Sequence, residues 1–354
     1  MDKKIKEILK YAVMAPSGDN SQPWRFVLQS GILRIYNLPG KDNPYLNFKQ
    51  SGSLIAHGAL IKNIEIASSS FNLVPLIKLL PSKEDLNLVA EVSFKESGAV
   101  LTEDVLFKFI PVRSTNRRPY DFKELSDKDK VLLNEAGVFD DTVLRFITDT
   151  EKIKKAARAG SNAEIIILEN KLLHSLLFKD VMWSKKQENK EKHGLYIKTM
   201  EFNPIQKFLF RLASNKRLMR LAVKIKFPHF IAKEDAFLYS SGSTMGLLST
   251  KKASLENFIK LGMKMQYIWV KATSLGLSFQ PITATLFLGF KLRNNPNDSE
   301  LSLEHKKMSL SSYKDIFSAF DINQEEIPLM MFRIGYAKTP SARSSRKDPL
   351  IDLA

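Results

Sequence analysis

The chain has 354 residues, of which 44% are hydrophobic and 26% charged, a balance typical of folded globular proteins. It has no cysteine and only five histidines, so disulfide frameworks and thiolate catalysis are excluded and a metal centre is not expected. A net charge of +16 favours binding to phosphate, whether of a cofactor, a nucleic acid or an anionic lipid.

The first 15 residues, MDKKIKEILKYAVMA, predict an amphipathic helix rather than a signal peptide. No later segment has the roughly 18 consecutive apolar residues of a membrane-spanning helix. We therefore expect a cytoplasmic protein with no stable membrane insertion. Helical and strand-like patterns alternate along the chain and predict a mixed α and β fold.

Residues 15–26 (APSGDNSQPWRF) predict a polar loop between a helix that ends at Pro16 and a strand that begins at Trp24. Its amide, hydroxyl and backbone N–H groups suit in-plane hydrogen bonding to a heteroaromatic edge such as the pyrimidine ring of a flavin. A purely structural turn with Asn and Ser caps is the alternative, and composition alone favours it.

Two pairs of segments indicate a degenerate internal repeat. Residues 24–27 (WRFV) match residues 144–147 (LRFI), 120 positions later, and the helix around Gly58 matches the helix around Gly262, 204 positions later. The two offsets predict an insertion of about 84 residues within 160–245. Strand-like segments follow at 88–94 and 330–335. Chance resemblance of two amphipathic helices remains the alternative.

The predicted insertion contains a charged run at 184–192 and a basic amphipathic stretch at 204–227. In this stretch Phe208, Leu212, Leu218, Leu221 and Ile225 recur near helical spacing. A helix at a membrane surface is one interpretation. A cover whose apolar face packs onto the rest of the protein is the other, and we favour it.

Residues 113–121 (RSTNRRPYD) interleave three arginines with Ser, Thr and Asn, which is phosphate-binding chemistry. One cluster fits a single terminal phosphate better than a nucleic-acid backbone, which requires several clusters, so no nucleic-acid partner is expected. A surface arginine patch is the alternative. Residues 343–347 (RSSRK) repeat this chemistry. Three other conspicuous side chains, Trp24, His57 and Trp269, are expected in the core.

Four segments together resemble the nitroreductase-like FMN flavoproteins: residues 15–26, residues 113–121, the stretch from Gly276 to PITA at 281–284, and GYA…P…R at 335–343. The resemblance extends to a duplicated, monomeric subgroup with a lid. It implies an α+β nitroreductase-like fold of two degenerate repeats fused as a pseudo-dimer. Residues 1–110 would form the half that carries the loop at the flavin ring. Residues 111–354 would form the half that carries the phosphate-binding residues and a helical lid at about 160–245.

The resemblance also implies residue roles, all of them contacts to FMN. One set would meet the flavin ring: Pro16, Ser17, Gly18 and Asn20. A second set would hold the phosphate: Arg113, Asn116, Arg117, Arg118 and Arg343. Pro281, Thr283 and Ala284 would lie beneath the ring, and Thr283 and Ala284 would direct their backbone N–H groups at N5. Thr283 departs from the acidic residue that many members have there. No catalytic side chain and no metal are implied.

The implied function is FMN-dependent transfer of hydride from NAD(P)H to an electron-poor acceptor, such as a nitroaromatic compound or a quinone. In such a reaction the cofactor supplies the redox chemistry and the protein tunes it. The alternative is a protein that sequesters or stores FMN beneath its lid with little reductase activity. A fused chain carries its own partner and is expected to be a monomer.

Overall fold

The computed structural model describes residues 1–97, 105–135 and 141–353. Its helices are α1 (Asp2–Ala12), α2 (Ser51–Ser68), α3 (Asp127–Glu135), α4 (Thr150–Glu169), α5 (Lys171–Lys179), α6 (Lys185–Glu191), α7 (Pro204–Ala213), α8 (Lys216–Lys224), α9 (Phe227–Tyr239), α10 (Leu255–Ser274), α11 (Ala284–Asn294) and α12 (Leu303–Ala319).

The strands of the described residues confirm the positions predicted at 24–27, 88–94, 144–147 and 330–335. They are β1 (Trp24–Gln29), β2 (Ile32–Asn37), β3 (Leu73–Leu79), β4 (Leu88–Glu96), β5 (Thr142–Ile147), β6 (Val181–Met182), β7 (Leu195–Tyr196), β8 (Thr244–Thr250), β9 (Ser278–Ile282), β10 (Ile327–Gly335) and β11 (Ile351–Leu353). The predicted α+β class is correct.

Two sheets share one strand arrangement. The first has the order β11-β1-β2-β4-β3 and the second β5-β8-β10-β9. Apart from β11, which pairs parallel to β1, all neighbours in both sheets are antiparallel. The strands β1, β2, β4 and β3 therefore have the same order and directions as β5, β8, β10 and β9.

Helices α2 and α10 pack against each other between the sheets and cross at two glycines. A Cβ added to Gly58 would overlap the carbonyl oxygen of Ile259, and a Cβ added to Gly262 would overlap that of Ile55. One hydrophobic core then runs from the first sheet through these helices to the second, from Phe26 to Phe332. Backbones approach this closely only where side chains are absent.

His57 and two tryptophans lie in this core, as expected. His57 is fully buried, and its two ring nitrogens lie 2.8 Å from the carbonyl oxygen of Ser53 and 3.3 Å from that of Tyr36. Burial lowers its pKa. Trp24 and Trp269 are also buried.

A long helical connection distinguishes the second sheet. Strands β1 and β2 are joined by residues 30–31, whereas β5 and β8 are joined by residues 148–243, which we call the inserted segment. The predicted start near 160 falls inside α4. This helix is continuous from Thr150 and is capped by the Asp149 side chain, which accepts from the Lys152 backbone N–H at 2.8 Å. No helix of the described ranges is long and apolar enough to cross a membrane.

The expectation that the apolar side chains of 204–227 pack onto the protein is wrong for the predicted stripe. Phe208 is 61% exposed, Leu221 60% and Ile225 79%, and Leu212 and Leu218 are also exposed. The helices are held on the protein instead by contacts on their other face, where Phe210 packs against Phe178 and Trp183. There, Ala213 and Met219 are buried with Leu168 of α4. Helical spacing predicted the stripe, but not the direction in which it points.

Candidate functional site

Two contiguous cavities lie where the polar loop, the arginine-rich segment and the inserted segment meet. The smaller measures about 120 Å³ and the larger about 340 Å³. Both are lined by Pro16, Ser17, Asp19, Thr115, Arg117 and Leu195. The shared walls make the two cavities neighbours, the smaller one polar and rich in arginine and the larger one of mixed character.

The loop that separates helix α1 from strand β1 is built tightly around Gln22. Its backbone enters the left-handed region at Asp19 (φ 44°), Asn20 (φ 58°) and Gln22 (φ 52°). The Gln22 backbone N–H donates to Ser17 Oγ at 3.0 Å. Its side-chain amide donates to the carbonyl oxygen of Lys192 at 2.7 Å and accepts from the Lys347 N–H at 2.9 Å. Gln22 thereby ties the loop to the inserted segment and to the C-terminal segment.

The loop residues that the resemblance would place at a flavin ring each line one or both of the cavities. Pro16 and Ser17 line both, Gly18 lines the larger, and Asn20 lines the smaller. A Cβ on Gly18 would lie 2.8 Å from Asp42 Oδ1, so this position has no room for a side chain unless Asp42 moves. The Asn20 amide donates to the carbonyl oxygen of Ser345 at 3.1 Å, and its buried Oδ1 has no partner among the described residues.

Four arginines line the smaller cavity: Arg113, Arg117, Arg343 and Arg346. Arg113 is buried and lies over the Trp269 ring, with its Cζ 4.3 Å from the ring centroid. Its Nη2 donates to the carbonyl oxygen of Met14 at 3.1 Å, whereas Nε has no partner among the described residues. Burial, with the like charges of Arg346 and Arg343, lowers the Arg113 pKa to about 9.

Arg346 was not among the residues assigned to phosphate by resemblance, although the RSSRK chemistry pointed to its segment. Its Nε donates to the carbonyl oxygen of Ala15 at 3.3 Å. Burial lowers its pKa to about 10, and the nearby Glu188 carboxylate opposes this shift. Glu188 is fully buried and accepts from the Ser345 backbone N–H, so it holds this segment in place. The smaller cavity thus concentrates more positive than negative charge.

Asn116 and Arg118 are not brought to either cavity. The Asn116 amide donates to Ser278 Oγ at 2.8 Å and to the carbonyl oxygen of Lys338 at 2.9 Å. Arg118 pairs instead with Glu201 of the inserted segment at 3.0 Å. The assignment of Asn116 and Arg118 to a phosphate site therefore does not agree with their positions, which hold together the segments that surround the cavities.

The larger cavity is bounded by the start of helix α11. Pro281, Thr283 and Ala284, which the resemblance would place beneath a flavin ring, line it, and Trp269 forms another part of its wall. The first N–H groups of a helix have no acceptor within that helix and carry partial positive charge. The Thr285 hydroxyl donates to the carbonyl oxygens of Ala159 and Gly160 at 3.0 and 2.9 Å, which fixes this helix end against α4.

Acidic groups on separate elements also face the larger cavity. Asp19 belongs to the polar loop, whereas no sequence pattern indicated Asp42 or Glu164. Asp19 has exposed surface in the cavities yet is enclosed by protein, and burial raises its pKa against the lowering effect of Arg117. Burial, reinforced by Asp235, raises the pKa of Glu164 to about 8. The pKa of Asp42 is raised to about 6, mainly by burial. The described ranges contain no group of three or more acidic or histidine side chains placed to hold a metal ion.

Comparison with known proteins gives distant relatives. No family model matches the chain. An uncharacterized protein of Mycobacterium tuberculosis is 24% identical over 344 residues, which cover 96% of this chain and 47% of the relative. PigM of a Serratia strain, named a probable NAD(P)H nitroreductase, is 32% identical over 93 residues, which cover 25% of this chain and 26% of the relative. The chain spans less than half the length of each of these two curated relatives.

The solved structures similar to this chain include nitroreductases. A Bacteroides fragilis nitroreductase with bound FMN aligns with 69% of this chain and 94% of its own, at 12% identity and a TM-score of 0.35. An iodotyrosine deiodinase bound to FMN and 3-iodo-L-tyrosine aligns with 70% of this chain and 97% of its own, at 11% identity and a TM-score of 0.36.

Proposed function

We propose that this protein binds FMN and transfers hydride from NAD(P)H to an electron-poor acceptor such as a nitroaromatic compound or a quinone. One observation carries the proposal: an arginine-rich cavity shares six lining residues with a wider cavity lined by Trp269 and by the start of α11. The arginine-rich cavity suits the phosphate at the end of a flavin's ribityl chain, and the wider cavity suits the flavin ring system.

The smaller cavity fits a phosphate group. Arg113, Arg343 and Arg346 lie close enough to one another to lower the pKa of Arg113, and an anion bound between them would relieve this repulsion. Arg113 Nε and Asn20 Oδ1 are buried polar atoms without partners among the described residues. Such atoms are costly unless they are satisfied, here by a ligand.

The larger cavity fits a planar heteroaromatic ring. Its volume, about 340 Å³, lies in the range of small-molecule sites. Thr283 and Ala284 bring the positive start of α11 to its wall, an environment that stabilises negative charge on a ring nitrogen or oxygen. FMN, when bound, supplies the hydride chemistry, and the protein positions it and excludes water.

We propose further that the chain is a fused pseudo-dimer and a monomer. The matching strand orders and the reciprocal contacts of Gly58 and Gly262 support two related halves, 1–110 and 111–354. In this proposal the first half contributes the polar loop and the second contributes Arg113, Arg117 and the residues at 281–284. The lid is part of the inserted segment. We expect the protein in the cytoplasm, where NAD(P)H is available.

A second candidate function is FMN storage, and the inserted segment favours it. Leu195, Met200 and Phe210 of this segment form part of the wall of the larger cavity. A cover in this place would keep nicotinamide and acceptor from the face of the flavin on which they stack. Storage and reduction use the same cavity and differ in whether this cover opens.

Anaerobic mixing of the FMN-loaded protein with NADH or NADPH tests the proposal. The purified protein should show the absorption bands of oxidised flavin, with one FMN per chain on titration. Rapid bleaching by either nucleotide supports the reductase. A yellow protein that millimolar nucleotide leaves oxidised would favour storage, and failure to bind added FMN would contradict both functions. The relative named as a probable NAD(P)H nitroreductase supports testing NAD(P)H first.

A further inference from the structure

Helices α7 and α8 each present an exposed apolar stripe. On α7 the stripe is Ile205, Phe208 and Leu212. Leu218 and Leu221 of α8, with Ile225 directly after it, repeat the same spacing of three and four residues. All six side chains are exposed, from 38% for Leu212 to 79% for Ile225. We call these six residues the apolar stripe.

Basic residues accompany the stripe. Lys207, Arg211, Arg217, Arg220 and Lys224 each stand one position before a stripe residue, and Lys216 and Lys226 lie nearby. On a helix this offset places each cation about 100° around the axis from its apolar neighbour, so a cationic row borders each stripe. All seven cations are exposed, and within the described ranges none forms an ion pair with an acidic residue.

No acidic residue occurs between Glu201 and Glu234, so nothing in this stretch of sequence offsets the positive charge. This is the combination found in helices that lie in the plane of a membrane interface, with apolar side chains among the acyl chains and cations among the headgroups. A nucleic-acid surface would use the cations but leave Phe208, Leu221 and Ile225 in water. The charge is complementary to anionic lipid, and the stripe explains the exposed apolar area.

We propose that α7 and α8 dock this protein on an anionic lipid surface. The helices remain folded on the protein through Ala213 and Met219, so docking requires no unfolding. Docking also places the membrane next to the cover of the larger cavity. Phe210 lines that cavity, while Phe208 and Leu212 of the same helix point outward. This inference does not depend on the identity of the cofactor.

Co-sedimentation of the full chain with lipid vesicles tests the proposal. Vesicles of phosphatidylcholine with phosphatidylglycerol should bind the protein at least about tenfold more tightly than vesicles of phosphatidylcholine alone, because each basic residue near an anionic surface contributes to binding. The preference should decrease as salt is added, since salt screens exposed charges.

Two triple variants separate the contributions. L218S/L221S/I225S removes half of the apolar stripe, and R217E/R220E/K224E reverses the adjoining charge. Each should weaken binding to the anionic vesicles by about tenfold or more. Matched controls change equally exposed residues elsewhere: L86S/F122S/L350S for the apolar side chains and K83E/K128E/K307E for the charge. The controls should bind as the unchanged protein does, and circular dichroism should show all four folded.

Three results would overturn the proposal. The first is equal loss of binding in the variants and their controls. The second is a dimer in sedimentation velocity without lipid that L218S/L221S/I225S converts to a monomer, which would make the stripe a self-association surface. The third is retention on duplex DNA that requires the cations but not the stripe, together with no preference for anionic vesicles.

Discussion

Gly58 and Gly262 lie against each other's helices in a reciprocal contact. Each faces a backbone carbonyl of the opposite helix, and that carbonyl belongs to the isoleucine three residues before the other glycine. The contact is therefore symmetric in sequence as well as in space. It joins α2 to α10 and, through them, the first sheet to the second.

Alanine at either glycine should destabilise the protein. Backbone atoms occupy the space of the added methyl group, so the helices must separate, at a cost of about 1–3 kcal/mol. Helix propensity alone predicts the opposite sign, since alanine is favoured over glycine within helices. Urea unfolding measures the difference. Gly40→Ala, in open space, is the control and should change stability by less than about 0.5 kcal/mol. G58A or G262A as stable as this control would contradict the close crossing.

Substitution of the arginines that line the smaller cavity should weaken FMN binding, whereas substitution of the nearby Arg118 should not. Arg113→Ala and Arg346→Ala each remove a charge-assisted donor from the wall of the smaller cavity, so FMN should bind about ten- to a hundredfold more weakly. Arg118→Ala should have little effect, because Arg118 pairs with Glu201. Riboflavin, which has no phosphate, should bind all three variants alike. Fluorescence titration with both ligands measures this. An R118A defect equal to that of R113A would restore the assignment made from sequence.

Arg333 should be a major determinant of stability although it does not line the cavities. It is fully buried, and its guanidinium donates to Gln280 Oε1, Ser241 Oγ and the carbonyl oxygens of Leu238 and Arg118, each at 2.7 Å. Arg333→Met leaves Gln280 Oε1 and the carbonyl oxygen of Arg118 without this donor. Ser241 Oγ still accepts from the Tyr120 N–H, and the carbonyl oxygen of Leu238 still accepts from the Ser241 N–H. We expect a loss of about 2–4 kcal/mol in the free energy of unfolding.

Limited proteolysis adds a second measurement for Arg333, because its bonds fasten the end of the inserted segment. R333M should be cut faster near 238–241 than the unchanged protein. Arg158→Met, at an exposed arginine, is the control and should change neither stability nor cleavage. Similar behaviour of the two variants would show that the buried network contributes little.

Glu164 should make stability depend on pH in a defined direction. Its pKa is about 8 in the folded protein against an ordinary 4.5, so folding favours the protonated form. Below the unfolded value the group is protonated in both states and has no effect. As pH rises from about 4.5 to 8 its contribution becomes increasingly destabilising, and above 8 it stays constant.

Glu164→Gln should therefore stabilise the FMN-free protein at pH 8, by at least about 1 kcal/mol, and leave it unchanged at pH 4. Chemical denaturation at a series of pH values checks this. Glu84→Gln, at an exposed site, is the control. Unfolding profiles of E164Q and the unchanged protein that run parallel from pH 4 to 8 would argue against a buried, protonated Glu164.

Local patterns in the sequence predicted the elements well. Alternation located the strands at 24–27 and 330–335, and glycine-containing apolar helices located α2 and α10. The polar loop at 16–20 and Arg113 also lie together, as expected. In each case the determining signal lies within a few neighbouring residues.

Contacts between distant segments account for what could not be predicted. Nothing in RSTNRRPYD shows that Arg118 pairs with Glu201, or that Arg346 completes the group around Arg113. Glu164 and Asp235 lie on separate helices, and the effect of Asp235 on the pKa of Glu164 exists only after folding. The stripe of α7 and α8 is visible in the sequence. The direction in which the stripe points, however, depends on how α7 and α8 pack against α4, and that is known only from the structure.

The inserted segment occurs once, between β5 and β8, while β1 and β2 are joined by a tight turn. In an assembly of two identical chains every insertion appears twice, and a cover over one opening must also stand over the other. A single polypeptide is free of that requirement, so one side can be closed and elaborated while the opposite side keeps its compact hairpin. Because the insertion lies on one side only, the two sides of the molecule differ, and it can approach a surface in one defined orientation.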